Sequence, residues 1–273
     1  MIATAREVLR RSLPPRAFDG VRLGWWMGRW YIPRLAASAF VKRTAAVQSF
    51  PEGRSSELAI RLGRVNVAAP TRVCRVMTRF GSDKGRDWHN YTTVYSELFG
   101  PLLDRPLKIF ELGLGTNHPE FAFNMGEFGR PGASLRGWRT LFPKASVYGA
   151  DIDREVLFQE DRIETFYCDQ LDAASIRRLW SEPALTGGMD LIIDDGLHTF
   201  EGNTSFLSGS LEHLLPGGFY IVEDLHRDTL GHWREALEHR YCRQFPTFEF
   251  VLAELPNAYN SSDNNLLIVR RPQ

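Results

Sequence analysis

The chain has 273 residues, room for one large domain or a domain with an extension, and its charged (24%) and hydrophobic (43%) fractions are ordinary for a globular protein. Its net charge of zero hides an asymmetry: residues 1–80 carry 15 Arg and Lys against 4 Asp and Glu, and the remainder 18 against 29. Cys74, Cys168 and Cys242 have neither CxxC spacing nor an even count, so neither a disulfide framework nor a zinc site is indicated, and reduced thiols of a cytoplasmic protein are expected.

In chain order, Arg10, Arg11 and Arg16 interrupt any early apolar core, so no secretory leader is expected. Residues 21–40 hold Trp25, Trp26 and Trp30 among Arg22, Arg29 and Arg34, and those arginines rule out a membrane span of about 20 apolar residues. Tryptophans beside arginines suit an interfacial helix at a membrane surface, which would make the protein membrane-peripheral. They equally suit packing on the body of the protein or on a second copy in a homo-oligomer. Nucleic-acid binding is not expected, because no motif for it accompanies the charge. Residues 1–77 are thus expected to form a basic, helical, Arg/Trp-rich extension, and 78–273 the functional domain. Within the extension, 44–68 is expected to be a linker with a short helix.

From Tyr91 the spacing Tyr91, Val94, Tyr95, Leu98, Phe99, Leu102 gives a helical apolar stripe. Lys108–Leu112 is expected to be a buried strand ending at Gly113-Leu-Gly115. Residues 116–133 are irregular, and a segment of that length serves as a lid or binding loop. Ser134 is expected to cap a helix to Phe142. Strands are then expected at 146–150, 164–168, 190–193 and 219–222, with helices at 174–180 and 204–214. Strands alternating with helices predict a doubly wound, mostly parallel α/β sheet. Two apolar runs, 248–255 and 266–270, predict a C-terminal antiparallel hairpin.

The strand ends carry the chemistry. Asp190-Leu-Ile-Ile-Asp194-Asp195-Gly-Leu-His198 runs an apolar stretch into two carboxylates and a histidine, and Phe219–Val222 runs into Glu223-Asp224. In an open α/β sheet ligands bind at the carboxyl edge, and a hard cation needs such clustered oxygens. Gly113 and Gly115 let backbone approach a ligand. Asp151 can accept ribose hydroxyls, and Asp169-Gln170 can meet an adenine amine. Asp194 is expected to order its loop. His213, His226, His232 and His239 are expected to be structural or solvated.

The order ELGLG, YGADID, FYCDQ, IIDDG, PGG and VED resembles class I S-adenosylmethionine-dependent methyltransferases, whose Rossmann-like sheet has seven strands. Gly81-Ser-Asp83-Lys84-Gly85 with His89 and Tyr91, Gly132–Trp138 followed by Phe142-Pro143, the Asp194–His198 motif and Glu223-Asp224 narrow the resemblance to metal-dependent sugar O-methyltransferases of macrolide and aminocoumarin biosynthesis. It covers about residues 78–226. The resemblance implies Asp195, Glu223 and Asp224 as ligands of Mg²⁺ or Mn²⁺, and His198 as general base. It places Glu111, Gly113, Gly115, Asp151, Asp169 and Gln170 around S-adenosylmethionine. The expected acceptor is a small-molecule or lipid-linked glycosyl group. Catechol-type O-methylation and a non-catalytic, membrane-peripheral binding protein of the same fold are the rivals. His89, Tyr91 and the 116–133 segment are expected to face the acceptor.

Overall fold

The computed structural model describes residues 44–54, 56–85, 88–121, 123–257 and 260–273. The reading of residues 21–40 lies outside them. Arg43–Gln273 forms one compact unit.

Nine strands form one mixed sheet in the order β1-β8-β9-β7-β6-β2-β3-β5-β4. Its parallel centre comprises β2 (Lys108–Leu112), β3 (Ser146–Asp151), β5 (Ile163–Tyr167), β6 (Met189–Asp194) and β7 (Leu214–Val222). The chain runs outward from β2 through β3 to β5, then returns to β6 and β7 on the other side of β2. The topological switch point therefore lies between β2 and β6, where such sheets bind ligands. The expected hairpin is present as β8 (Glu249–Glu254) and β9 (Asn265–Arg270), and β9 runs antiparallel to β7.

Seven strands were expected, and two more are present. Residues 44–68, expected to be a linker, supply β1 (Ala46–Phe50), which pairs antiparallel with β8, and then the helix α1 (Glu57–Leu62). Gln48 and Ser49 break the apolar run of this strand, so tertiary pairing rather than sequence pattern makes it. The other is β4 (Gln159–Glu160), two residues against β5 and too short to show a period.

Side chains alternate across the sheet, as the two-residue period requires. Ile109, Leu191, Phe219 and Ile221 pack with α2 (Arg72–Phe80), α3 (Tyr91–Phe99) and α4 (Ala133–Leu141). Phe110, Ile192, Tyr220 and Val222 pack on the opposite face with α5 (Ala173–Trp180), α6 (Phe200–Ser210) and α7 (Leu230–Ala236). Helix α6 begins before the expected Thr204 because the Thr199 side chain caps it, accepting from the Gly202 amide. Gly132, not Ser134, stands at the N-cap of α4, in the left-handed region. The Ser134 hydroxyl points into the core instead.

Candidate active site

Four loops leave the carboxyl edge still stitched to it. Gly113 donates to Ala150 O (2.8 Å), Cys168 to Asp151 O (3.0 Å), Asp195 to Leu112 O (2.9 Å) and Glu223 to Asp194 O (2.9 Å). Asp195 and Glu223, the first residues after β6 and β7, are thus tied by their amides to the last carbonyls of the neighbouring strands. Above this edge opens a cavity of about 290 Å³.

Gly113, Gly115, Asp151 and Asp169 line this cavity. Gly113 and Gly115 have φ of +90° and +78°. A Cβ at Gly113 would strike the Asp195 carbonyl, and one at Gly115 the Met125 sulfur. Asp151 holds this turn: Oδ2 accepts from the Leu114 amide (2.7 Å) and Oδ1 from that of Asp153 (2.9 Å). Burial raises the Asp151 carboxyl above its ordinary range, against the opposing pull of these amides. Ile152 and Leu171 escaped the sequence reading. Both are about half exposed and face the same cavity, offering apolar surface for a flat ring. Their signal in the sequence is an apolar residue close behind a strand-end acid.

Two expected cofactor contacts are committed elsewhere. Glu111 shares the strand parity of Ile109, so it points toward α4 rather than into the cavity. There, fully buried, it accepts from Ser134 Oγ (2.5 Å) and Trp138 Nε1, one helical turn apart. Gln170 touches the cavity, but its amide donates to both oxygens of Asp194 (2.9 and 3.1 Å) and its Oε1 accepts from the Leu197 amide (2.7 Å). Asp194 also accepts from Asn203 (3.1 Å) and orders the 194–198 loop.

Also lining this cavity, Asp195, His198 and Asp224 bring one ligand atom each within 4.8 Å of one another. His198 and Asp224 both have φ of +55°, a left-handed conformation that costs a side-chain-bearing residue energy. Helix α3 supports the acid pair. Tyr91 and Tyr95 are one turn apart, and their hydroxyls donate to Asp224 Oδ1 (2.6 Å) and Glu223 Oε1 respectively. His89 stacks on Tyr91 at 4.6 Å, with Nδ1 3.3 Å from Asp224 Oδ1. His89 and Tyr91 therefore brace the acids from behind and do not line the cavity.

Lys84, 2% exposed, places its ammonium among Asp195 Oδ2, Glu223 Oε2 (2.6 Å) and Glu111 Oε1 (3.4 Å). Burial alone would lower its pKa, but Asp195, Glu111 and Glu223 outweigh it and hold the amine charged. Burial and the neighbouring acids push Asp195 up to about 7 against the pull of Lys84, and raise Glu223 as well. Burial also acts upward on Asp224, yet His89, His198 and the Tyr91 hydroxyl hold it below its ordinary range.

Part of the 116–133 segment reaches the cavity. Phe121, Phe123, Asn124 and Met125 line the cavity, and Phe123 meets the His198 ring edge-on at 5.4 Å. His118 stands outside, its Nδ1 3.2 Å from Asp153 and its Nε2 3.3 Å from Glu155. His213 stacks on Trp180, and His226, about half exposed, faces Asp228.

The donor set fits a hard divalent cation: two carboxylates converge beside His198, whose buried Nδ1 has no hydrogen-bond partner. Glu223 adjoins this set, but Tyr95 and Lys84 already occupy an oxygen each.

No protein-family model matches the chain. It is 38% identical over 149 residues to the 8-demethyl-8-alpha-L-rhamnosyl tetracenomycin-C 2'-O-methyltransferase of Streptomyces olivaceus, covering 54% of this chain and 36% of the relative. It is 33% identical over 165 residues to the 8-demethyl-8-(2-methoxy-alpha-L-rhamnosyl)-tetracenomycin-C 3'-O-methyltransferase of the same organism, covering 60% and 39%. It is 32% identical over 149 residues to the demethylmacrocin O-methyltransferase of Streptomyces fradiae, covering 54% and 35%. The matched stretch thus spans little more than a third of these curated relatives. Among solved structures, the MycE methyltransferase from the mycinamycin biosynthetic pathway, in complex with Mg and SAH, superposes with a TM-score of 0.53 at 24% identity, covering 80% of this chain and 60% of that one. That likeness establishes the Rossmann-like methyltransferase fold.

Proposed function

We propose that this chain is an S-adenosylmethionine-dependent, divalent-cation-dependent O-methyltransferase acting on a hydroxyl of a sugar or glycosylated small molecule. One observation carries the reading: a single cavity is lined both by Gly113, Gly115, Asp151 and Asp169 and by Asp195, His198 and Asp224. The first group suits a nucleoside with a charged tail, and the second a hydroxyl that must lose its proton. The named activities of the relatives support the sugar as acceptor.

In this reading Asp195 and Asp224, with Glu223 beside them, would hold a divalent cation that would ease ionisation of the hydroxyl, and the cofactor would supply an electrophilic methyl. His198 takes the hydroxyl proton. Asp224 Oδ2, 3.5 Å from His198 Nδ1, stabilises the imidazolium so formed. Asp151 would accept from the ribose hydroxyls, and Ile152 and Leu171 would flank the adenine. Phe123, edge-on to His198, would help to position the acceptor, which leaves mainly an alignment problem.

Calorimetric titration of S-adenosylmethionine in Mg²⁺ and in EDTA tests the first group, and radiolabelled methyl transfer to glycosides and catechols tests the second. Micromolar binding with cation-dependent transfer to glycosides supports the reading. Transfer to catechols alone would replace the acceptor, and no binding in either buffer would remove the methyltransferase reading. Among the described residues no helix is long and apolar enough to cross a membrane.

A further inference from the structure

The turn that carries Asp224 is held by a residue to which the proposed reaction gives no part. Of the acids Asp195, Glu223 and Asp224, only the last has a left-handed φ, and such a conformation persists where its surroundings enforce it. Both neighbours of Asp224 are tied. Glu223 before it donates its amide to Asp194 O (2.9 Å). Leu225 after it is bonded at both of its backbone groups to Asn265, the first residue of β9. Its amide donates to the Asn265 carbonyl (3.1 Å), and its carbonyl accepts from Asn265 Nδ2 (2.7 Å). Asn265 is only 4% exposed, and it opens a strand that is otherwise apolar as far as Val269. A buried side-chain amide is costly unless a hydrogen bond compensates its desolvation. Here that bond goes to the backbone next to Asp224.

We propose that Asn265 is a positioning residue of this site, which holds Asp224 in the left-handed turn that sets its carboxylate beside Asp195 and His198. The inference rests on the cation-dependent reading above. Two further observations support it. Neighbouring Asn264, 1% exposed, donates to Asn90 Oδ1 (2.9 Å), and Asn90 stands immediately before Tyr91 at the start of α3. The Tyr91 hydroxyl lies 2.9 Å from the Asp263 carbonyl, while it donates to the Asp224 side chain and accepts from the Asp224 amide (3.2 Å). Residues 263–265 thus fix both the turn and the tyrosine that meets it, so the carboxylate has little freedom to reorient. A carboxylate placed in advance binds a cation without the cost of being ordered.

The test is calorimetric titration of Mg²⁺, and of Mn²⁺ followed by electron paramagnetic resonance, into the full chain without cofactor or acceptor. Asn265→Leu keeps the size of the side chain but removes its donor, and Asn265→Ala removes both. Either variant is expected to raise the dissociation constant of the ion by roughly tenfold to a hundredfold, as loss of a residue that orients a ligand from outside does. Ser210→Ala is the control for a merely structural loss. It takes the acceptor from Trp180 Nε1 (2.9 Å), a buried bond at the last residue of α6, and should leave ion binding as in wild type. If one Asn265 variant fails to fold by circular dichroism, the other carries the test. Ion binding in the Asn265 variants that matches wild type, or falls no further than in Ser210→Ala, overturns the role of Asn265 while leaving the cation in place. No binding by wild type removes the cation itself, and this proposal with it.

Discussion

His198 Nδ1 lies 3.5 Å from Asp224 Oδ2, and both residues hold the same left-handed φ of +55°. Two strained residues from different strand ends are thereby turned to face each other. Such strain is kept where the surrounding structure enforces it, and it clusters at functional sites.

This pair separates catalysis from stability. His198→Ala is expected to lower methyl transfer by about 10²–10⁴, the usual contribution of a positioned base. His198→Gly should lose as much activity yet melt about 2–4 °C above the alanine variant, because relieving a left-handed φ returns about 1 kcal/mol. Turnover assays and thermal melts of both variants check this, and wild-type turnover in either would remove His198 from the mechanism.

The tyrosines of α3 make a second test. Tyr95→Phe leaves buried Glu223 Oε1 without its donor, and should destabilise the fold by about 1–3 kcal/mol. Urea unfolding without a divalent ion measures it. A loss below about 0.5 kcal/mol would mean that Lys84 satisfies Glu223 alone.

The buried acids give a pH dependence of unusual sign. Burial raises Asp194 to about 6 and, helped by neighbouring acids, Asp195 to about 7, from an ordinary value near 4. Between about pH 4 and 7 the folded state therefore binds more protons than the unfolded one, so stability falls as pH rises through that window. Asp194 alone accounts for up to about 3 kcal/mol at about 1.4 kcal/mol per unit. Lowered Asp224 acts in the opposite sense but over a lower range. In EDTA, unfolding at pH 7.5 should need less urea than at pH 5, and Asp194→Asn should flatten the difference. A rising curve would mean that these carboxyls are ionised throughout.

Phe123 should govern the acceptor. Its ring is about half exposed and meets His198 edge-on. Phe123→Ala is expected to raise KM for a glycosyl acceptor by roughly tenfold, the worth of an aromatic contact made with the acceptor, with a smaller change in kcat. Steady-state kinetics at saturating cofactor distinguish this from a general loss of activity.

The parallel centre of the sheet was legible because apolar runs stop at Leu112 before a glycine turn, and at Ala150, Ile193 and Val222 before an acid. The candidate acids were legible for the same reason. Lys84 was not: a lysine between Asp83 and Gly85 looks solvated, and only its tertiary partners account for its burial. Tyr91 and Tyr95 were visible as a helical stripe, but a stripe records burial and says nothing of a hydroxyl at its tip. Glu111 misled in the opposite way. Its place before the glycine turn suggested a ligand contact, whereas strand parity sends it to Trp138. Ser134 likewise looked like a cap and instead serves Glu111.

The backbone amides of Asp195 and Glu223 are bonded to carbonyls at the ends of the central strands, and Glu223 directly follows β7, which is flanked by β6 on one side and β9 on the other. Amides in such a position exchange with solvent only when the sheet as a whole opens. The acids of the site should therefore share the slowest hydrogen-exchange class of the protein, protected as long as Ile192 or Ile221. Chemistry at this edge is then mounted on the last part of the molecule to come apart, and heat or denaturant should reach the lid over His198 well before it disturbs the carboxylates beneath.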